Sequence, residues 1–498
     1  MAAPRFVVQV PPAYAPERRY VLDLILGEWL GFECDLVPGP PGDLVIRLDG
    51  DPEGRLLSLP DALFATPAAD WLSERAMPAL PLARIESEGF PAQRNGDDSL
   101  GLAEESPLSG PLPVIYGDGH PGSTAWQVTS GGLRLAVDVF GSAFFMLSRY
   151  EELVVTARDQ FGRFPASASV AATQGFLERP IVDEYVDLLW TAMHRLWPAL
   201  SRRRPEFRLR LTHDVDDAWA AFERPFGVVG HAVAGDVLTR RDLRLAFRRS
   251  RSFVAGRLGR LYDDPFDTFD FLMDESERHG LQSTFYFMVG GTDPAHDATY
   301  NVEDPRIVAL IARINSRGHE VGLHGGFGSF ESAERLSAEK AKLDRARAAA
   351  GIEAPSIGIR QHYLRFSNPI TWRSQEAAGF RHDSTLGYAE RVGFRAGTGR
   401  EYPVYDLEER RALSLRERPL LVMDGTLLVY MGLGEEEAVA RAGAVAAAAR
   451  EHESEAVLLY HNSTLTGPRL MNHYSRVVAS AVGAPQRTEP GRSGTAAS

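Results

Sequence analysis

The residues best suited to chemistry lie in Arg208-Leu209-Arg210-Leu211-Thr212-His213-Asp214-Val215-Asp216-Asp217, where an alternating run ends in a histidine and three carboxylates. The alternation predicts a strand. Carboxylates crowded at a strand end repel one another, and a metal ion, a shared proton or a nearby cation usually offsets that cost. The same residues also suit an Asp-rich turn or a helix N-cap at Asp216 or Asp217. The stretch therefore needs partners, and two histidines offer themselves: His324 after Glu320–Leu323 and His461 after Ala456–Tyr460.

Strands must present these side chains. Beyond the basic linker Ser201-Arg202-Arg203-Arg204-Pro205, short apolar strands alternate with helices. Strands are expected at Arg208–Thr212, Ser283–Val289, Glu320–Leu323, Leu420–Asp424 and Ala456–Tyr460. Helices are expected at Phe266–His279, Pro305–Arg317, Ser332–Ala350, Pro369–Ala378 and Glu435–Glu451. Repeated βα units predict a parallel sheet or barrel with helices outside, and chemistry in such folds collects at the carboxyl ends of the strands. Asp214, His324 and His461 all sit there.

Ahead of the linker, Phe6–Val10 and Leu44–Leu48 read as strands around a helix Tyr20–Leu30. Leu133–Val139 reads as a strand, Phe140–Leu153 as one buried helix, and Pro180 to about Trp197 as another. Glu86–Gly119 is rich in Pro and Gly and reads as surface loop. No catalytic constellation precedes residue 200; Asp138 and the Arg149/Glu151/Glu152 cluster read as structural charges. The division is a 1–200 N-terminal α/β accessory domain, a 206–483 (β/α) barrel domain and a disordered tail, 484–498. The first is expected to be a scaffold or substrate-presenting module, so that 206–484 alone should keep any metal.

Composition narrows the class. Of 498 residues, 44% are hydrophobic and 24% charged, ordinary for a soluble globular protein. A net charge of −13 and the lack of a nucleic-acid motif argue against nucleic acid as a partner. The single cysteine, Cys34, excludes an intramolecular disulfide and any Cys-rich zinc site. The opening residues hold no apolar core of signal-peptide length, and no run approaches the roughly 20 apolar residues of a membrane span. A soluble cytoplasmic protein is expected.

Read together, the strand-end motifs carry a resemblance. Thr212-His213-Asp214-Val215-Asp216, Ser283-Thr284-Phe285-Tyr286-Phe287, Gly318-His319-Glu320-Val321-Gly322-Leu323-His324, Ile359-Arg360-Gln361-His362-Tyr363 and Leu458-Leu459-Tyr460-His461 resemble the ordered motifs of the polysaccharide deacetylases, carbohydrate esterase family 4. Gly379-Phe380-Arg381-His382-Asp383-Ser384-Thr385 adds a likeness to variants with Asp-Val-Asp in place of adjacent aspartates. The resemblance covers about residues 206–465, and the first half is similar to a domain found ahead of some bacterial deacetylase-like proteins. It implies an α/β fold: a deacetylase-like (β/α) barrel in the C-terminal half with a separate N-terminal α/β domain.

It also implies a divalent metal, with zinc the leading choice, and a carbohydrate substrate, either an N-acetylated glycan or its lipid- or nucleotide-linked precursor. Asp214 maps onto the base, Asp216 and His324 onto metal ligands, and His461 onto the acid. Arg360 would orient the base through a bidentate pair. Deacetylation needs each of these: activated water, a polarised carbonyl, and a proton for the leaving nitrogen.

One departure stands out. The family supplies two ligand histidines four residues apart, whereas this chain reads His324-Gly325-Gly326-Phe327-Gly328. His362 is the replacement best placed, with His213 as a second candidate; His319 reads as structural. Asp383 could border the site, and Asp424 could orient His461. Adjacent Asp217 leaves the Asp214/Asp216 register open by one residue. Two other readings stay open: a silent deacetylase-fold protein that binds glycan, and a C–N hydrolase of a small cyclic substrate.

Arg240–Arg260 differs from the rest, with eight arginines and one acid, Asp242. Leu243 and Phe247, then Val254 and Leu258, form an apolar stripe. It reads either as a solvated helix over the barrel or as a peripheral membrane contact for anionic headgroups or a phosphate-bearing precursor.

Overall fold

The computed structural model describes residues 4–86, 110–221, 224–258, 263–290, 293 and 295–483. Residues 87–109, which hold most of the expected loop Glu86–Gly119, and the expected tail 484–498 lie outside them.

The first half is built on strands β1 (Arg5–Val10), β2 (Glu33–Pro38), β3 (Leu44–Leu48), β4 (Leu56–Leu59), β5 (Ala83–Ile85), β6 (Leu112–Val114), β7 (Trp126–Thr129) and β8 (Gly132–Leu135). Six of them form one sheet in the order β2-β1-β3-β4-β8-β7, and β5 pairs with β6. The parallel partner of β1 is β2, not β3, which runs antiparallel to β1. The expected helix Phe140–Leu153 is two helices, Val139–Leu147 and Tyr150–Val154, broken where Arg149 takes a left-handed φ of 53°. That turn brings the Arg149 guanidinium back onto Glu151 (2.7 Å) and Glu152 (2.8 Å). Asp138 caps its helix at Gly141 N and accepts from Ala62 N. Both are structural charges.

The second half carries β9 (Arg208–Val215), β10 (Ser283–Phe287), β11 (Glu320–Gly325), β12 (Gly358–Gln361), β13 (His382–Asp383), β14 (Tyr402–Asp406), β15 (Arg411–Glu417), β16 (Leu420–Met423) and β17 (Glu455–Leu459). Their order is β14-β15-β13-β12-β11-β10-β9-β17-β16, parallel throughout except for β14. Buried runs such as β12 and β17 follow from helices covering a parallel sheet. Among the described residues the sheet does not close. No ladder joins β16 to β13 or β15, and the gap is bridged by Leu420 N donating to Leu386 O (3.1 Å). The expected barrel is therefore an open, curled half-barrel of nine strands. Its two edges are β14 and β16.

The two sheets are distinct, but the halves are not separate bodies. One continuous apolar core runs through both. Buried charges also cross between them: Arg395 donates to both Glu152 oxygens (2.9 and 2.7 Å), Arg400 pairs with Asp183 (3.1 Å), and His452 meets Asp187 at 2.7 Å. Cutting the chain at 206 would strand Arg395 and Arg400 without carboxylates and bare apolar surface. Residues 206–483 expressed alone should therefore aggregate or lack a cooperative melt by circular dichroism. A monomeric fragment with a sharp transition would show the halves to be independent.

Candidate metal centre

Parallel register sets the heights of the site residues. Tyr286 on β10 stands level with Asp214 on β9 and Gly322 on β11, and His324 stands level with Arg360 on β12. Arg360 reaches across to β9, where NH1 donates to Asp214 Oδ1 and Thr212 Oγ1, each at 2.9 Å. Its path crosses the Tyr286 ring at 4.7 Å. Gly322 makes room for that ring, because a Cβ there would lie 2.7 Å from it. The expected bidentate pair is not formed. The other Arg360 donors go to Ser384 O and Oγ at 2.8 Å, which fixes the guanidinium by both ends.

Asp216, His324 and His362 each turn a ligand atom to one point, all within 4.8 Å of one another. Asp216 Oδ1 lies 3.2 Å from His324 Nε2 and 3.6 Å from His362 Nε2. A tetrahedral ion with arms of ~2.0–2.1 Å has edges of ~3.3–3.4 Å, so the spacing suits one. Asp216 Oδ1 is buried and has no hydrogen-bond partner, as an atom set aside for a cation would be. His324 Nδ1 is 2.9 Å from Arg360 O, which only a protonated Nδ1 can serve; the Nε2 lone pair is then left to face Asp216. Although burial opposes it, His362, His324 and His461 hold the Asp216 carboxyl far below its usual range. Burial lowers the His324 pKa, but Asp214 and Asp216 outweigh it and the net shift is upward. The residues fit a divalent ion.

His362 sits on the short turn His362–Leu364, whose next two residues have positive φ (Tyr363 60°, Leu364 54°). Its Nδ1 is 3.5 Å from Asp297 Oδ1, a carboxylate anchored by Phe327 N (2.7 Å). At position 328, where the second histidine would stand, a Cβ would meet the Arg335 guanidinium at 2.9 Å.

His461 faces the cluster from two residues beyond β17, with Nε2 at 3.6 Å from Asp216 Oδ2. Its Nδ1 meets Asp424 Oδ1 at 2.7 Å, and its backbone N–H donates to Asp424 Oδ2. Burial works against the charged ring, but Asp424 chiefly pushes its pKa up to about 10. Asp424 thus occupies the orienting position.

Other candidates lie elsewhere. His213 leaves β9 on the opposite face, 2.8 Å from Tyr460 O and 3.2 Å from Ser283 Oγ, with burial lowering its pKa to about 4. It is not a ligand. His319 accepts from Ser283 N (3.0 Å) as a structural group. Asp217 pairs with Arg224, away from the triad. Asp383 is buried with Thr385 and the carboxyl of Glu417, and burial raises both acids; it does not border the cleft.

The cleft has a volume of about 210 Å³ and is lined by Asp214, Asp216, His324, His362 and His461, with Arg163, Tyr363 and Tyr430 among the others. Arg163 comes from the first half, in the turn Asp159–Pro165. Asp159 holds its Nε (2.7 Å), and its NH1 donates to Tyr363 O (2.9 Å). Sequence reasoning missed Arg163 and Asp297. Both lie in loops with no periodicity to mark them.

Comparisons with known proteins add little to this geometry. The model described as "Family of unknown function (DUF7033)" matches residues 6–198. No curated protein matches. A Mycobacterium smegmatis protein assigned to the polysaccharide deacetylases is 16% identical, with 57% of this chain and 86% of that one covered and a TM-score of 0.37. An allantoinase is 12% identical over 55% and 83% of the two chains, at 0.35. A family 4 carbohydrate esterase pseudoenzyme from Bacillus anthracis is 9% identical over 55% and 62%, at 0.26. Scores below 0.5 transfer no activity.

Proposed function

We propose that the chain is a metal-dependent hydrolase that removes an acetyl group from an N-acetylated sugar or glycan precursor. The reading is carried by one observation: a ligand triad spaced for a tetrahedral ion, flanked by the Asp214–Arg360 pair on one side and the His461–Asp424 pair on the other. When bound, a divalent ion, with zinc the best match to one carboxylate and two imidazoles, supplies charge that polarises a carbonyl and acidifies water. Asp214 lies outside the triad, with Oδ2 3.8 Å from His324 Nε2, and takes the proton of the attacking water. Arg360, donating to Asp214 Oδ1, keeps that carboxylate aimed. The new C–O bond forms as the C–N bond breaks, and His461 Nε2–H gives its proton to the departing nitrogen while Asp424 holds the ring. The products are a free amine and acetate.

The test is divalent-ion content of the purified full chain together with acetate release from N-acetylated oligosaccharides. About one equivalent of zinc, cobalt or nickel is expected. His362→Ala should weaken binding by more than the roughly 10–100-fold that loss of a supporting residue costs. A chain that takes up no ion after reconstitution would leave a glycan-binding protein on this fold, and a His362→Ala variant that holds the ion as tightly would remove His362 from the ligand set.

A further inference from the structure

Between β9, which carries Asp214 and Asp216, and the helix Phe269–Arg278, the chain inserts a helical hairpin, Phe226–Leu238 and Leu243–Arg257. Fourteen large apolar side chains are exposed among the described residues, and eight of them lie in residues 226–258. Such a concentration does not fit a solvated helix pair. Phe226 is 74% exposed, Leu243 70%, Phe247 65% and Leu258 74%.

The pattern has two parts. The first helix has one charged residue, Asp236, and it is buried, so the outward face carries none. On the second, Leu243, Phe247, Val254 and Leu258 recur at helical spacing, opposite the buried Leu245, Ala246, Arg249 and Ser252. Exposed Arg244 and Arg251 border the stripe on one side and Arg257 on the other. Arg241 is exposed in the link between the helices. Residues 226–258 hold seven arginines against Asp236 and Asp242, in a chain of net charge −13. An apolar stripe edged by arginines matches acyl chains beneath anionic headgroups, because arginine can bury its stem and keep its charge among phosphates. A hairpin-to-hairpin dimer would instead oppose arginine to arginine.

We infer that this hairpin docks the protein on an anionic membrane surface. No helix among the described residues is long and apolar enough to cross a membrane, so the contact would be peripheral. The hairpin leaves the sheet at the end where the cleft opens, and Arg248 NH1 donates to Thr466 O (2.9 Å), in the loop that follows His461. Docking would place the cleft at the lipid surface, where a lipid-linked glycan is presented. This last step rests on the proposed hydrolase function; the docking does not.

Flotation of the full chain with vesicles tests it. Phosphatidylcholine–phosphatidylglycerol vesicles at about three to one should carry the protein up at low salt, and phosphatidylcholine alone should not. Phe226→Ser with Phe247→Ser should abolish flotation, and Arg241→Glu with Arg244→Glu should weaken it by at least about tenfold. Both double variants should keep the parent's melting temperature and metal content, which separates lost docking from lost folding or a lost site. Three results would overturn the inference: no flotation with either vesicle, flotation unchanged in both double variants, or a dimer by light scattering that Phe226→Ser with Phe247→Ser dissolves.

Discussion

Asp214→Asn should cut acetate release by about 10²–10⁴-fold, the usual worth of a general base, while the ion stays at its parent stoichiometry. Asp216→Asn should lose ion and turnover together. The contrast follows from where the two carboxylates point. Asp216 Oδ1 lies within 3.6 Å of both ligand imidazoles, whereas Asp214 Oδ1 is taken by Arg360 and Oδ2 stands 3.8 Å from His324. Asparagine at 214 keeps an acceptor for Arg360, so the site should hold its shape. Asp217→Asn should do neither, since that carboxylate already pairs with Arg224. If Asp214→Asn released the ion, the roles of the two aspartates would have to be exchanged.

Arg395→Met should destabilise the whole chain by ~3–5 kcal/mol, the range for breaking a buried ion pair by removing one partner. Arg395 and Glu152 are both essentially buried, and their pair links the halves. Burial alone would raise the Glu152 pKa, but Arg395 and then Arg149 pull it below its usual value. With Arg395 gone, one guanidinium, Arg149, must serve both Glu151 and Glu152. Such a loss is a large part of the ~5–15 kcal/mol that holds a domain together. Denaturant unfolding followed through both halves should show one transition shifted to lower concentration. Adding Glu152→Gln should recover part of the loss. An unchanged midpoint would mean that the halves do not share their stability.

Much of the second half was legible because parallel sheets impose a simple grammar. The alternation through Arg208–Val215 marks β9, and the placing of Asp214, His324 and His461 at strand ends follows from it. His213 and Asp214 fall on opposite faces, as the two-residue period of a strand requires. Other features have no local signature. Arg163 reaches the cleft from another sheet's connections, and Asp297 approaches His362 from a loop. The hairpin β14–β15 was legible in part, since Leu413 and Leu415 alternate with polar residues, yet a reading built on repeated βα units passes over it. Nothing in the sequence tells an open curl from a closed barrel. The chain passes from one sheet to the other across 201–205, but composition cannot reveal a core that two sheets share.

The turn at His362 has a thermodynamic consequence. Arg163 of the first half donates to Tyr363 O, and Arg365 returns the contact by donating to Phe161 O (2.9 Å). Residues that never touch the ligand triad thus help to set the backbone that aims one of its members. Free energy is reciprocal in such an arrangement: if occupying the triad orders this backbone, it steadies the turn Asp159–Pro165 by the same amount by which loosening that turn weakens the occupant's hold. The first half, which supplies none of the three triad residues, would then be a co-determinant of affinity.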